Sequence, residues 1–236
     1  MPSRLQLLAI VCLVAAVDTG SQPNTWRLCL ADASPATIDA CTTLIRSNPR
    51  NDGAFVNRGI AYRRLGDIDR AIRDYDEAIR VNPSAADAFN NRGNAFRARD
   101  EDDRAMRDYD EAIRLDPHYA HAFNNRGIIF LEQGDAFRAI VEFDRAIAED
   151  GEYANAFRNR GLALANLGLF DRAIRDFDIA FTLNPAIGHG LEYALALYGR
   201  GVDRQRAGDP AGLADIEQAT RLRADVADVM GGIDDP

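Results

Sequence analysis

The chain has no lysine. All 28 of its cationic side chains are arginine, a bias of composition rather than of function. It also lacks any surplus of positive charge, for 37 acidic residues leave a formal net charge of −9. Nucleic-acid binders carry a basic face that neutralises phosphates, so an acidic chain is not expected to be one. Leu5–Val17 is a 13-residue apolar run, short of the span of a bilayer, which takes about 20 residues. Catalytic patterns are missing too. No Ser/His/Asp set, phosphate loop or paired-carboxylate motif stands out, and no cofactor is expected. There are three histidines. His118 and His121 are close enough to share a metal, but no cysteine or third ligand lies near, so no metal site is expected.

What is there begins with the N-terminus. Arg4 and the Leu5–Val17 run resemble a secretory signal at 1–16, with Val14-Ala15-Ala16 supplying small residues for cleavage. The expected location is periplasmic or secreted, with a membrane anchor by an uncleaved signal as the alternative. No membrane contact is expected after cleavage. Cleavage removes Cys12 and leaves Cys29 and Cys41, an even pair that favours a disulfide in an oxidising compartment. A short loop closed in this way stabilises by about 3 kcal/mol in the chain-entropy picture.

The interior is written in repeats. Asn-Arg-Gly recurs at 57–59, 91–93, 125–127 and 159–161, a spacing of 34 residues. An aromatic stands two before each Asn, at Phe55, Phe89, Phe123 and Phe157. Alanine follows at Ala71, Ala105, Ala139 and Ala173, and a second aromatic at Tyr75, Tyr109, Phe143 and Phe177. These residues fall on single faces of two helices per block. Leu65-Gly66-Asp67 supplies a left-handed Gly and a capping Asp between the helices, and Asn82-Pro83 ends the second. The second block has Asp100-Glu101 at its turn, which is less well specified. One helix pair cannot bury this face alone; stacked pairs can.

The pattern "F-x-x-R-G-x-x-Y … A-x-x-x-Y … A … P" resembles the tetratricopeptide repeat. The resemblance covers about 190 of 236 residues. It implies an all-α fold, an α-solenoid of antiparallel helix pairs wound into a right-handed superhelix. Four repeats are expected at 52–85, 86–119, 120–153 and 154–187. A degenerate fifth follows in 188–225, where Gly199-Arg200-Gly201 echoes the motif, and a tail at 226–236. Residues 17–51 carry a capping helix at 36–49 that aligns with a second helix and has no obvious first.

The motif arginine departs from the family's usual Leu. Arg58, Arg92, Arg126, Arg160 and Arg200 are each followed by an acid at Asp74, Asp108, Glu142, Asp176 and Asp215. A second acidic row runs Asp76, Asp110, Asp144, Asp178 and Glu217. An arginine–carboxylate contact is expected within each repeat or between neighbours, since Arg suits a partly buried bidentate pair. The phenylalanine stripe is expected in the core.

In the family the first helix of each pair lines a concave groove. The resemblance places Asn57, Asn91, Asn125 and Asn159 there. In O-GlcNAc transferase such a row forms an asparagine ladder on an extended peptide. A side-chain amide donates and accepts, which matches a peptide unit. The row is either such a ladder or repeat consensus. Helical spacing adds Arg63, Asn90, Asn94, Arg97, Asn124 and Arg158 to the lining, with Asn90 and Asn91 looking outward. Arg63, Arg97 and Arg158 against Asp87 make the lining locally positive. That is loosely similar to the family's carboxylate clamps, although their lysines are absent. The expected function is therefore a non-catalytic scaffold that binds an extended, possibly acidic, peptide or partner protein. The alternatives are a self-assembling structural protein and the recognition subunit of a separate enzyme.

Overall fold

The computed structural model describes residues 22–30 and 34–231. The signal expected at 1–16 lies outside them. Among the described residues, helices α1 (Gln22–Cys29) to α12 (Ala211–Leu222) form six consecutive antiparallel pairs, and no strand is present. The pairs after α1 and α2 (Pro35–Ser47) are α3 (Asp52–Arg64) with α4 (Ile68–Val81), and α5 (Ala86–Arg97) with α6 (Asp102–Leu115). Then come α7 (Ala120–Glu132) with α8 (Ala136–Glu149), and α9 (Ala154–Asn166) with α10 (Phe170–Leu183). The last pair is α11 (Leu191–Arg206) with α12, closed by a short α13 (Val226–Gly231). The chain is an α-solenoid.

Small residues set the spacing within a pair. The ring of Tyr75 lies flat on Gly59, so close that a Cβ on Gly59 would stand 2.6 Å from it. Tyr109 covers Gly93, Phe143 covers Gly127 and Phe177 covers Gly161 in the same way. The four rings are buried, as are the alanines at 71, 105, 139 and 173. Phe55, Phe123 and Phe157 are buried as expected, whereas Phe89 is only partly so.

Each second helix also packs on the first helix of the next pair. First helices of successive pairs touch one another, as α3 does α5, α5 does α7, and α7 does α9. Among the described residues the second helices make no comparable contact with one another. The stack therefore curves, with first helices on the concave side and second helices on the convex side.

Two differences from the sequence expectation concern the ends. The capping helix α2 does have a first helix, α1, short and without the motif. Cys41 stands 34 residues before Tyr75, in the place of the aromatic. It is fully buried and disulfide-bonded to Cys29 on α1. A covalent bond thus holds the pair where a ring on a glycine holds the next four, and in the last pair Ile216 takes the ring's place on Gly201. At the other end, the expected tail contains α13, whose Val226 is fully buried.

Candidate binding groove

The motif arginines clamp the stack. Arg92 donates from Nε and Nη2 to the carboxylate of Asp108 at 2.8 and 2.7 Å, and from Nη1 to Asp76 on the preceding pair at 2.7 Å. Arg126 bridges Glu142 and Asp110, and Arg160 bridges Asp176 and Asp144, in the same way. Arg58 pairs with Asp74 and reaches Thr42 of α2, which stands 34 residues before Asp76. The contact is thus within a repeat and between neighbours at once. Hydrogen bonds to Asp108, opposed by burial, raise the Arg92 pKa, so the clamp stays charged. The second acidic row breaks at its end. Arg200 pairs with Asp215 and Asp171, not Asp178, because the extra residues after Pro185 shift the register of α11. Asp178 instead lies 3.6 Å from His189, whose ring sits between Phe181 and Tyr193.

On the concave side two rows of asparagine interlock. Asn125 donates to Asn90 Oδ1 at 2.9 Å, and Asn159 donates to Asn124 Oδ1 at 2.9 Å. Asn90 and Asn124 are each 3 % exposed, so neither lines the groove surface as expected, and Asn90 does not look outward. Successive helix residues are turned by about 100°, which puts this row into the seam between repeats and leaves the neighbouring row at the groove surface. Asn57, Asn91, Asn125 and Asn159 are all partly exposed. Asn91 donates to the Asp87 carbonyl at 2.8 Å. Each amide engaged this way still has a second N–H, so the row is held in place without being exhausted.

The expected positive lining is corrected by acids from neighbouring helices. Arg97 pairs with Glu132 at 2.6 Å, and Arg158 with Glu192 at 2.7 Å. Arg63, Asn94, Arg97 and Glu132 border a cleft of about 530 Å³, which Asp100 and Asp102 also line. Asn94 accepts a hydrogen bond from the Tyr109 hydroxyl at 2.8 Å. Arg63 Nε and the Tyr75 hydroxyl are buried and meet no partner in hydrogen-bond geometry, although the Arg63 guanidinium stands near enough to oppose the rise of the Tyr75 pKa. Burial pushes the Tyr75 pKa up to about 12.

The groove changes character along the stack. Leu162 and Ala165 on α9 hold the repeat places of Asn94 and Arg97. With Leu195 and Phe170 they line an apolar recess of about 340 Å³ between α9 and α11. Sequence reasoning missed this recess because Phe170 begins a second helix and Leu195 falls in the register-shifted repeat.

The remaining histidines do not converge. His118 bonds Glu149 at 2.7 Å, while the His121 ring lies near Tyr119 and Tyr153. Among the described residues no three metal-ligating side chains come together. No helix there is long and apolar enough to cross a membrane.

Comparison with curated proteins finds no match. Solved structures do match. PilW, described as a widely conserved type IV pilus biogenesis factor, superposes with a TM-score of 0.66 at 20 % identity, over 87 % of this chain and 94 % of its own. YrrB, described as a protein with an unusual peptide-binding site, gives 0.61 at 22 % identity, over 80 % and 94 %. The C-terminal part of a repeat protein from Cytophaga hutchinsonii gives 0.62 at 18 %, over 86 % and 78 %. At such identities the likeness is one of fold. The tetratricopeptide repeat family matches at residues 56–120, 103–154 and 124–186. The match spans more than half the chain, and the chain belongs to the tetratricopeptide repeat family, whose members are typically protein-interaction scaffolds.

Proposed function

We propose that this chain is a non-catalytic adaptor that binds an extended segment of a partner protein along its concave face. The observation that carries this reading is the double asparagine row. Asn90 and Asn124, buried, hold Asn125 and Asn159 in fixed orientation at the groove surface. Preorganised amides at a regular spacing complement a peptide backbone with little ordering cost. The likeness to YrrB, itself described as having a peptide-binding site, supports the same use. The repeats run 52–85, 86–119, 120–153 and 154–187, with a degenerate fifth in 188–225. Export to an oxidising compartment fits the Cys29–Cys41 disulfide.

The test is capture of partners by the wild type and by an Asn91→Ala, Arg97→Ala variant. Both side chains are partly exposed, so helicity and melting should persist. The variant is expected to lose the partner. Identical partner lists from the two proteins would overturn the reading. A second reading, self-association, has one observation in its favour. On the convex face Asp69/Arg73, Asp103/Arg107 and Asp171/Arg175 repeat, but the third repeat has Phe137 and Val141 there, 73 % and 51 % exposed.

A further inference from the structure

The four Asn-Arg-Gly motifs become Gly199-Arg200-Gly201 in the last repeat. Arg200 makes the arginine clamp to Asp215, and Gly201 backs onto α12, so both keep their roles. Gly199 therefore stands where the other repeats carry the groove asparagine. The Phe170 ring explains the change. It lies against Gly199 so closely that any side chain there would collide with the ring. In the place of Phe170 the earlier repeats have Ile68, Asp102 and Ala136. The asparagine row thus ends at Asn159, and the space of the next amide is taken by an aromatic wall.

That wall closes the apolar recess. Leu162 and Ala165 form its floor, at the places that Ile60 and Arg63, Asn94 and Arg97, and Ile128 and Leu131 hold in the earlier repeats, and Leu195 forms the side. The recess, about 340 Å³, is at the small end of ligand pockets, which run from roughly 300 Å³ upward. It suits one large side chain rather than a whole small molecule. At its mouth Glu192, held by Arg158, marks a return to polar surface. Two coordinated departures from the repeat, Gly199 and Phe170, wall in a floor already apolar in the third repeat and turn the end of a hydrogen-bonding track into a socket.

We propose that this recess is the specificity pocket of the groove. It takes one large aliphatic or aromatic side chain of an extended peptide whose backbone lies along the asparagine row. The inference rests on the groove reading above and adds what that reading does not choose, the chemistry of the anchor residue. The polar track is indifferent to sequence, because an amide pairs with any peptide unit. Selection then falls to the one site that desolvates a side chain.

Random dodecapeptides displayed on phage, panned on the full chain and on variants, test it. Wild type is expected to enrich peptides that share one Leu, Met, Phe or Trp. Ala165→Leu fills the recess from its floor without removing core, and Leu195→Asp makes it polar. Each should abolish the shared apolar residue and weaken a selected peptide by about tenfold or more. Asn91→Ala should weaken peptides whatever their anchor. Enrichment without a shared apolar residue, or unchanged binding by both recess variants, overturns the pocket and leaves the groove reading standing. No enrichment on wild type sinks the groove reading itself. Concentration-dependent mass that Phe137→Ser and Leu195→Asp both abolish would assign the recess to a second copy and overturn the peptide.

Discussion

Tyr75 and Tyr109 hold the same place in successive repeats and end in opposite situations. The Tyr109 hydroxyl donates to Asn94. The residue matching Asn94 in the first repeat is Ile60, and the Tyr75 hydroxyl is buried and meets no partner in hydrogen-bond geometry. In the third and fourth repeats Phe143 and Phe177 fill the place and face Ile128 and Leu162, so no hydroxyl needs satisfying. A buried polar group without a partner costs about 1–3 kcal/mol, whereas a satisfied one contributes about 1 kcal/mol. The same substitution should therefore have opposite signs. Tyr75→Phe is expected to stabilise by about 1 kcal/mol, and Tyr109→Phe, which strands the Asn94 carbonyl, to destabilise by about as much. Urea melts of the two variants decide the matter. Equal effects of one sign would show that the hydroxyls are not what distinguishes the two sites.

At the scale of elements, the turns and the cap are where the repeats differ. Gly66, Gly134 and Gly168 adopt positive φ between the helices of their pairs, and Asp100 adopts φ 59 in the second repeat, where glycine is missing. The turn that looked poorly specified in sequence is thus built the same way, against the conformational preference of a side chain. Asp100→Gly is expected to stabilise by about 0.5–1 kcal/mol, since relief of the left-handed cost exceeds the added freedom of the unfolded chain. An unchanged urea midpoint would count against that. The N-terminal cap relies on one covalent bond. Reducing Cys29–Cys41 should cost about 3 kcal/mol, confined to α1 and α2, because neighbours in a solenoid support only each other. Amide exchange should rise in those helices and stay unchanged in α9 and α10. What could be read from the sequence follows the same division. Contacts inside a repeat join residues at one fixed offset, as Gly59 with Tyr75 and Arg58 with Asp74, so the period exposes them. Contacts across a seam, such as Arg97 with Glu132 or Asn125 with Asn90, depend on how far one pair is staggered against the next. No single-helix pattern encodes that stagger. It decided which asparagine faces the groove, and α1 stayed hidden because it is short and has Pro23-Asn24-Thr25 where the repeats carry Asn-Arg-Gly.

The whole molecule is a line of pairs, and the arginine clamps are what make the line cooperative. Each of Arg92, Arg126 and Arg160 ties two carboxylates of its own and the preceding pair, so loss of one acts on a seam as well as a repeat. Asp108 is 6 % exposed, and removing its partner leaves a buried charge uncompensated. Breaking such a pair costs about 3–5 kcal/mol when fully buried; the partial exposure of Arg92 lowers the expectation to about 2–4 kcal/mol. Arg114, paired with Glu111 on the open convex face, serves as the control, and Arg114→Ala should cost about 0–1 kcal/mol. Because each pair touches only its neighbours, Arg92→Ala should also leave a spatial signature. Hydrogen exchange should accelerate in α4, α5 and α6, which the clamp joins, and fade toward α9 and α10. An unchanged melting temperature would refute the clamp. A uniform acceleration along the chain would show instead that the stack opens all at once, and that the seams are stronger than the pairs they connect.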